Sequence, residues 1–200
     1  MIIDISNYDL GIVWALGSKI EQSKFSFRHK EKYFIERLSL VFGNNVYSQK
    51  RVKDKSDVQF VLKPKLNADE LYSLGWSARN SEERELPILS DYKDFLRAYL
   101  EVHSSLDYSS RRRRSGGQYK SLRLRIYGNA NIIAGINQIF SQEINVAIKK
   151  IQVLKNQKTA ILYYHSLAEI QEVFDYIKGQ PNFLKFWENV NEKLENPVID

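Results

Sequence analysis

Apolar and polar residues change period along this chain, and the changes come twice in the same order. "YDLGIVWALGS" (Tyr8 to Ser18) is an apolar helix with Gly11 and Ala15 four apart. Its counterpart, "FLRAYLEVHSS" (Phe95 to Ser105), carries Ala98 at the matching place. A strand follows in each half. "KFSFR" (Lys24 to Arg28) alternates, and "SLRLRIY" (Ser121 to Tyr127) does so more cleanly: Leu122, Leu124 and Ile126 face one way, Arg123 and Arg125 the other. A second helix comes next, in which Phe34, Leu38 and Phe42 match Ile132, Ile136 and Phe140 at helical spacing. Two basic strands follow, with "KDKSD" and "KNQK" as the turns between them. A short helix closes each half, with Asn67 and Ser166 as candidate N-caps.

The pattern predicts an α+β chain of two pseudo-symmetric αββαββα halves, each with its own antiparallel sheet. Residues 1–76 form the first repeat and 93–178 the second. Residues 77–92 are a polar connector containing Pro87, and 179–200 hold one more amphipathic helix. That last helix, with Phe183, Phe186 and Trp187, could pack on its own body or on a partner.

Composition narrows the chemistry. The 200 residues are 43% hydrophobic and 27% charged, an ordinary globular balance. No apolar run is long enough to cross a bilayer, and the first residues lack the basic region and cleavage site of a signal peptide. There is no cysteine, which excludes disulfides, thiolate zinc sites and cysteine nucleophiles. A cytoplasmic location is expected, in a bacterium or on a phage or other mobile element. There is no glycine-rich phosphate loop and no Ser/His/Asp arrangement, and no cofactor is expected. His29 and His165 are read as strand-end residues.

The formal net charge of +6 changes the picture more. Excess positive charge favours polyanions. The basic residues cluster on the predicted sheets: Arg28, Arg51, Lys53 and Lys55 in the first half, with Lys63 and Lys65 further along. In the second half they are Lys120, Arg123, Arg125, Lys149, Lys150, Lys155 and Lys158. "SSRRRRSGGQYK" (Ser109 to Lys120) adds Arg111, Arg112, Arg113 and Arg114 beside two glycines. It reads as a flexible loop that orders on a nucleic-acid backbone. A strand face bearing such residues reaches phosphates and base edges in a major groove.

The two apolar helices, the order of elements and "LGWSARNSEERELPILSDYKDFLRAYLEVHSS" resemble the single-chain LAGLIDADG homing endonucleases, over about Tyr8 to Ile177. The resemblance implies two motif helices packed side by side and two sheets forming a saddle over double-stranded DNA. It also implies an acid at the end of each motif helix that holds a divalent metal for backbone cleavage. Here the chain departs from the pattern: the acid positions fall on Leu16 and His103. Leucine offers no ligand, and imidazole suits softer metals than Mg²⁺.

The expectation is therefore a degenerate member with no catalytic residue and no metal, and hence not an enzyme. Such a chain would be a sequence-specific duplex DNA binder, a transcriptional regulator or repressor. A monomer suffices, because both repeats lie in one chain; a regulatory protein partner is left open. The alternatives are an active nuclease with relocated ligands, for which Glu101 and Asp107 are the nearby acids, and an RNA-binding maturase.

Overall fold

The computed structural model describes residues 5–21, 24–50, 58–64, 68–77, 83–112, 116–144, 146–155 and 158–197. The chain divides into two compact units, residues 1–102 and 103–200. The units therefore do not divide where the repeats do: the second motif helix belongs almost wholly to the first unit.

The first unit opens with α1 (Asn7–Leu16), capped by the Ser6 side chain, which accepts from the Asp9 amide at 3.1 Å. Every residue of α1 from Tyr8 to Leu16 is buried. Such a helix has no polar face to turn to water, and it sits inside the unit. After it come β1 (Ser18–Glu21), β2 (Lys24–His29), α2 (Lys32–Phe42), β3 (Tyr47–Lys50), β4 (Val58–Leu62) and α3 (Ala68–Ser73). The strands form one antiparallel sheet in the order β1-β2-β4-β3. Phe34, Ile35 and Leu38 of α2 pack on it, as their helical spacing predicts. The second motif helix, α4 (Lys93–His103), then crosses α1.

The second unit repeats the plan. β5 (Ser104–Arg112) and β6 (Gln118–Gly128) form a long hairpin, followed by α5 (Ala130–Glu143), β7 (Gln152–Val153), β8 (Ala160–Tyr164) and α6 (Leu167–Ile177). Its sheet order, β5-β6-β8-β7, repeats that of the first unit. Leu122, Leu124 and Ile126 are buried, and so are Ala160, Leu162 and Tyr164. The alternation read from "SLRLRIY" is thus the alternation of the sheet. Asn129 caps α5 by accepting from the Ile132 amide at 2.8 Å. Ser166 holds the N-cap position of α6 without a side-chain bond, and Asn67 lies outside the described residues.

Two elements differ from expectation. Part of the arginine-rich insertion is strand and not loop: β5 runs on to Arg112 and pairs with β6 from Gln118, while 113–115 lie outside the described residues. Gly116 and Gly117, both at φ near +85 to +88°, supply the turn residues. The strand expected across "INVAIKKIQV" shrinks to the two residues of β7. The buried Asn137 side chain explains this. Its amide takes both backbone groups of Lys149, at 2.8 and 3.0 Å, which a sheet ladder would otherwise use.

The last helix, α7 (Leu184–Glu195), packs on its own unit. Phe186 and Trp187 meet Phe174 of α6 at ring distances of 6.1 and 5.9 Å. Lys193 donates to the Leu106 carbonyl of the edge strand β5 at 2.7 Å, and Tyr108 donates to Asn196 at 3.0 Å. Among the described residues, no helix is long and apolar enough to cross a membrane.

Candidate functional site

The two motif helices meet in the first unit at Gly11. A Cβ there would lie 2.4 Å from the Phe95 carbonyl oxygen and 2.9 Å from the Ala98 Cβ. Trp14 also packs edge-on against Phe95, with ring centroids 6.1 Å apart. Gly11 and Ala98 thus set the helix approach.

The residues at the ends of these helices were expected to decide the chemistry. Leu16 is buried and behaves as a core residue. His103 is half-buried, the last residue of α4, and leads directly into β5. Glu101 is buried as well, and the Tyr8 hydroxyl donates to its carboxylate. Tyr8 also lies 3.2 Å from the Tyr33 hydroxyl, under the guanidiniums of Arg37 and Arg97. Asp9 is held by Arg37 through two bonds of 2.8 and 3.0 Å. Among the described residues, no group of three or more His, Cys, Asp or Glu side chains could hold a metal ion. The donor set at the motif positions does not fit the paired-carboxylate metal site that the resemblance implies. Glu101 already has a buried phenol as its partner, and Leu16 has no donor atom.

Burial and the neighbouring Glu101 carboxylate push the Tyr8 phenol far above its ordinary value of 10.0. A folded-state value above the unfolded one gives stability that is whole below pH 10 and falls as pH rises past it. Thermal melts from pH 8 to 11 should therefore show a steep alkaline loss. Tyr8→Phe should lessen that loss, leaving the share of Tyr33 and Tyr164, whose phenols burial also raises, while costing about 1–3 kcal/mol at neutral pH, because Glu101 loses a buried donor. An unchanged alkaline limb in Tyr8→Phe would show that Tyr8 is not its source.

The other polar cluster lies on the sheet of the second unit. Asp107 of β5 stands directly across from Arg123 of β6. Arg123 Nε donates to Asp107 Oδ1 at 3.0 Å, and Arg125 donates to Oδ2 of the same carboxylate. The hydrogen bond to Asp107, opposed in part by burial, raises the Arg123 pKa. Arg125 also lies over the Tyr127 ring at 5.6 Å. Ser105 meets the Tyr127 hydroxyl at 3.3 Å, and Ser109 meets Ser121 at 3.3 Å. All these residues lie on the face opposite Leu122, Leu124 and Ile126. Tyr163 of β8, in register with Arg125, adds an aromatic ring stacked on His165 at 5.9 Å.

The predicted basic residues divide among several places. Arg28 is exposed on β2, and its Nε donates to the buried Ser26 hydroxyl at 2.9 Å. Arg112 and Lys120 are exposed on the hairpin end, on the face of Leu122 rather than that of Arg123. Arg111 lies in β5, paired with Tyr119. Lys150, Lys155 and Lys158 are exposed around β7 and its turn. Lys149 does not join them. It pairs with Glu169 of α6 and lies over the ring of the buried Tyr164, so it points to the helix layer. Arg51, Lys53, Lys55, Lys65, Arg113 and Arg114 lie outside the described residues. In the sequence, Asp107 stands out only as a stand-in metal ligand. Its cross-strand partners become visible only with the register.

Neither a family model nor a curated relative matches the sequence. Solved structures do. The chain is similar to the LAGLIDADG homing endonuclease I-LtrWI bound to target DNA, at 12% identity and a TM-score of 0.65, over 95% of this chain and 89% of that one. It is similar to the meganuclease I-SmaMI bound to uncleavable DNA, at 13% identity and a TM-score of 0.63, over 96% and 90%. The LAGLIDADG meganuclease I-CpaMI, bound to uncleaved DNA, matches at 12% and 0.60, over 96% and 92%. The chain has the LAGLIDADG homing endonuclease fold.

This likeness overturns the expectation that the chain is not an enzyme. The structures that share its fold are homing endonucleases, one of them bound to cleaved DNA. Nucleases share this fold, so the fold gives no ground for excluding one. The expectation rested on Leu16 and His103 alone, and two motif positions do not account for every group that could act on DNA.

Proposed function

We propose that this chain is a sequence-specific double-stranded DNA-binding protein, on a fold that nucleases share. The observation that carries this reading is the polar sheet face of the second unit. There Arg123 and Arg125 stand side by side on one strand, opposite a buried apolar face. Arginines on a sheet face can reach guanine edges in the major groove. The hairpin end, with the exposed Arg112, suits the phosphate backbone. Support also comes from the similar structures that are bound to DNA.

A genomic pull-down tests the reading. Purified protein selects fragments of its own genome in the presence of Mg²⁺, and the bound fragments are sequenced with their ends mapped. A recurrent long site is the expected result. Breaks clustered within it would identify a nuclease whose ligands lie elsewhere than Leu16 and His103. Intact sites close to promoters would add transcriptional control by occupancy. No enrichment of duplex DNA would overturn the reading and turn attention to RNA.

The two basic groups should also fail differently. Arg123→Ala should cost discrimination at particular base pairs, about 1–3 kcal/mol. Replacing Arg111 to Arg114 by glutamine should weaken binding to cognate and random duplexes alike, with a shallower salt slope. Equal losses on both DNAs for both variants would contradict this division of roles. Titrations at several salt concentrations measure it.

A further inference from the structure

We infer that Asp107 is a specificity-determining residue. It holds Arg123 and Arg125 for base edges and keeps them off phosphates, so that the three side chains read guanine and cytosine as one unit. This inference rests on the duplex-binding reading above.

The geometry is unusual for a face that meets a polyanion. An acid placed there repels phosphate, yet Asp107 stands between the two arginines and contacts both. All three side chains are only about a quarter to a third exposed, so the pairs are less screened than ordinary surface ion pairs. Each guanidinium is fixed by one carboxylate oxygen. Arg123 is held through Nε, which leaves its two terminal nitrogens for an outside acceptor. Arginines fixed in this way lose less freedom when they bind.

The carboxylate also selects what that acceptor can be. A phosphate brought to either arginine approaches Asp107 closely and is repelled. A guanine edge is neutral and offers two acceptors, O6 and N7. The free lone pairs of Asp107 suit the amino group of cytosine. Arg123 and Arg125 are two residues apart on one strand, about 7 Å. That separation is about two base-pair steps. The unit therefore presents two donors along β6 and an acceptor beside them on β5, a pattern for two guanines about two steps apart with a cytosine amino group in reach of the carboxylate.

The test uses a pool of random-sequence duplexes, with enrichment by the wild-type chain and by Asp107→Asn, a change that keeps the side chain's shape. Wild type should enrich a motif containing the two guanines. Asp107→Asn should lose preference at those pairs, on the order of ten-fold, while the rest of the motif stands. It should also bind unselected duplex more tightly. Its salt slope should steepen by up to about 1.8, as two arginines move to phosphates at about 0.9 each. A merely structural role for Asp107 would lower the melting temperature and leave the slope unchanged. Arg125→Gln is the second arm, since it leaves the bond from Arg123 to Asp107 in place; it should erase one guanine preference and keep the other.

The same motif and slope in wild type and Asp107→Asn would overturn the inference and leave duplex binding standing. A wild-type motif without guanine preference would do the same. Failure of the wild type to bind or enrich any duplex would overturn both.

Discussion

Gly11→Ala is expected to destabilise the chain by about 3 kcal/mol, against the sign that helix propensity predicts. In an isolated helix, alanine is better than glycine by about 1 kcal/mol. Here the new methyl would lie 2.4 Å from the Phe95 carbonyl oxygen. That oxygen belongs to the backbone of α4 and cannot turn aside as a side chain could, so the two helices must separate or shift. Separation would loosen the packing of Trp14 against Phe95 as well. For a chain of this size the loss corresponds to a fall in melting temperature of roughly 6–12 °C. Calorimetry measures it. The double variant Gly11→Ala with Ala98→Gly sharpens the test. It removes the methyl contact at 2.9 Å but leaves the tighter backbone one, so rescue should be partial. Stabilisation by Gly11→Ala would mean that the helices do not approach this closely.

Arg84→Ala is expected to cost about 4 kcal/mol, and Arg84→Lys about 2 kcal/mol. Arg84 is buried in the connector after the first repeat. Its guanidinium donates to the carbonyls of Trp14 at 2.7 Å and Gly17 at 3.0 Å, at the end of α1, and also to Ser77. Helix C-terminal carbonyls have no partner within the helix, and here burial removes water as a substitute. The guanidinium also lies over the Trp76 ring at 4.7 Å, so truncation loses packing together with the bonds. A lysine ammonium restores the charge but not the planar fork that spans several carbonyls. Chemical denaturation of the three proteins gives the ranking. A cost below about 1 kcal/mol for Arg84→Ala would show that another group takes over those carbonyls.

The repeat was legible because it is written in periods. Helices announced themselves by apolar residues three and four apart, as at Phe34 and Leu38, and strands by alternation, as from Leu122 to Ile126. The boundary of the hairpin was not legible. Four arginines and two glycines look like a loop by composition, while the pairing that extends β5 to Arg112 is decided by the partner strand. β7 was overestimated for a related reason. The backbone groups of Lys149, just before it, are taken by Asn137, which is twelve residues from Lys149 in sequence and adjacent to it only in the fold.

What the sequence determined by itself is the order and type of elements, their twofold repetition, and which residues, Leu16 and His103, stand at the motif positions. These depend on local spacing, and local spacing is all that a periodicity carries. The tertiary structure decided which charges are spoken for. Lys149 turns to Glu169 in the helix layer, and Glu101 is covered by Tyr8. Arg84 closes the end of α1, and Asp107 stands between two arginines. A charged side chain takes its role from the partner within a few ångströms, and here those partners lie 16 to 93 residues away along the chain.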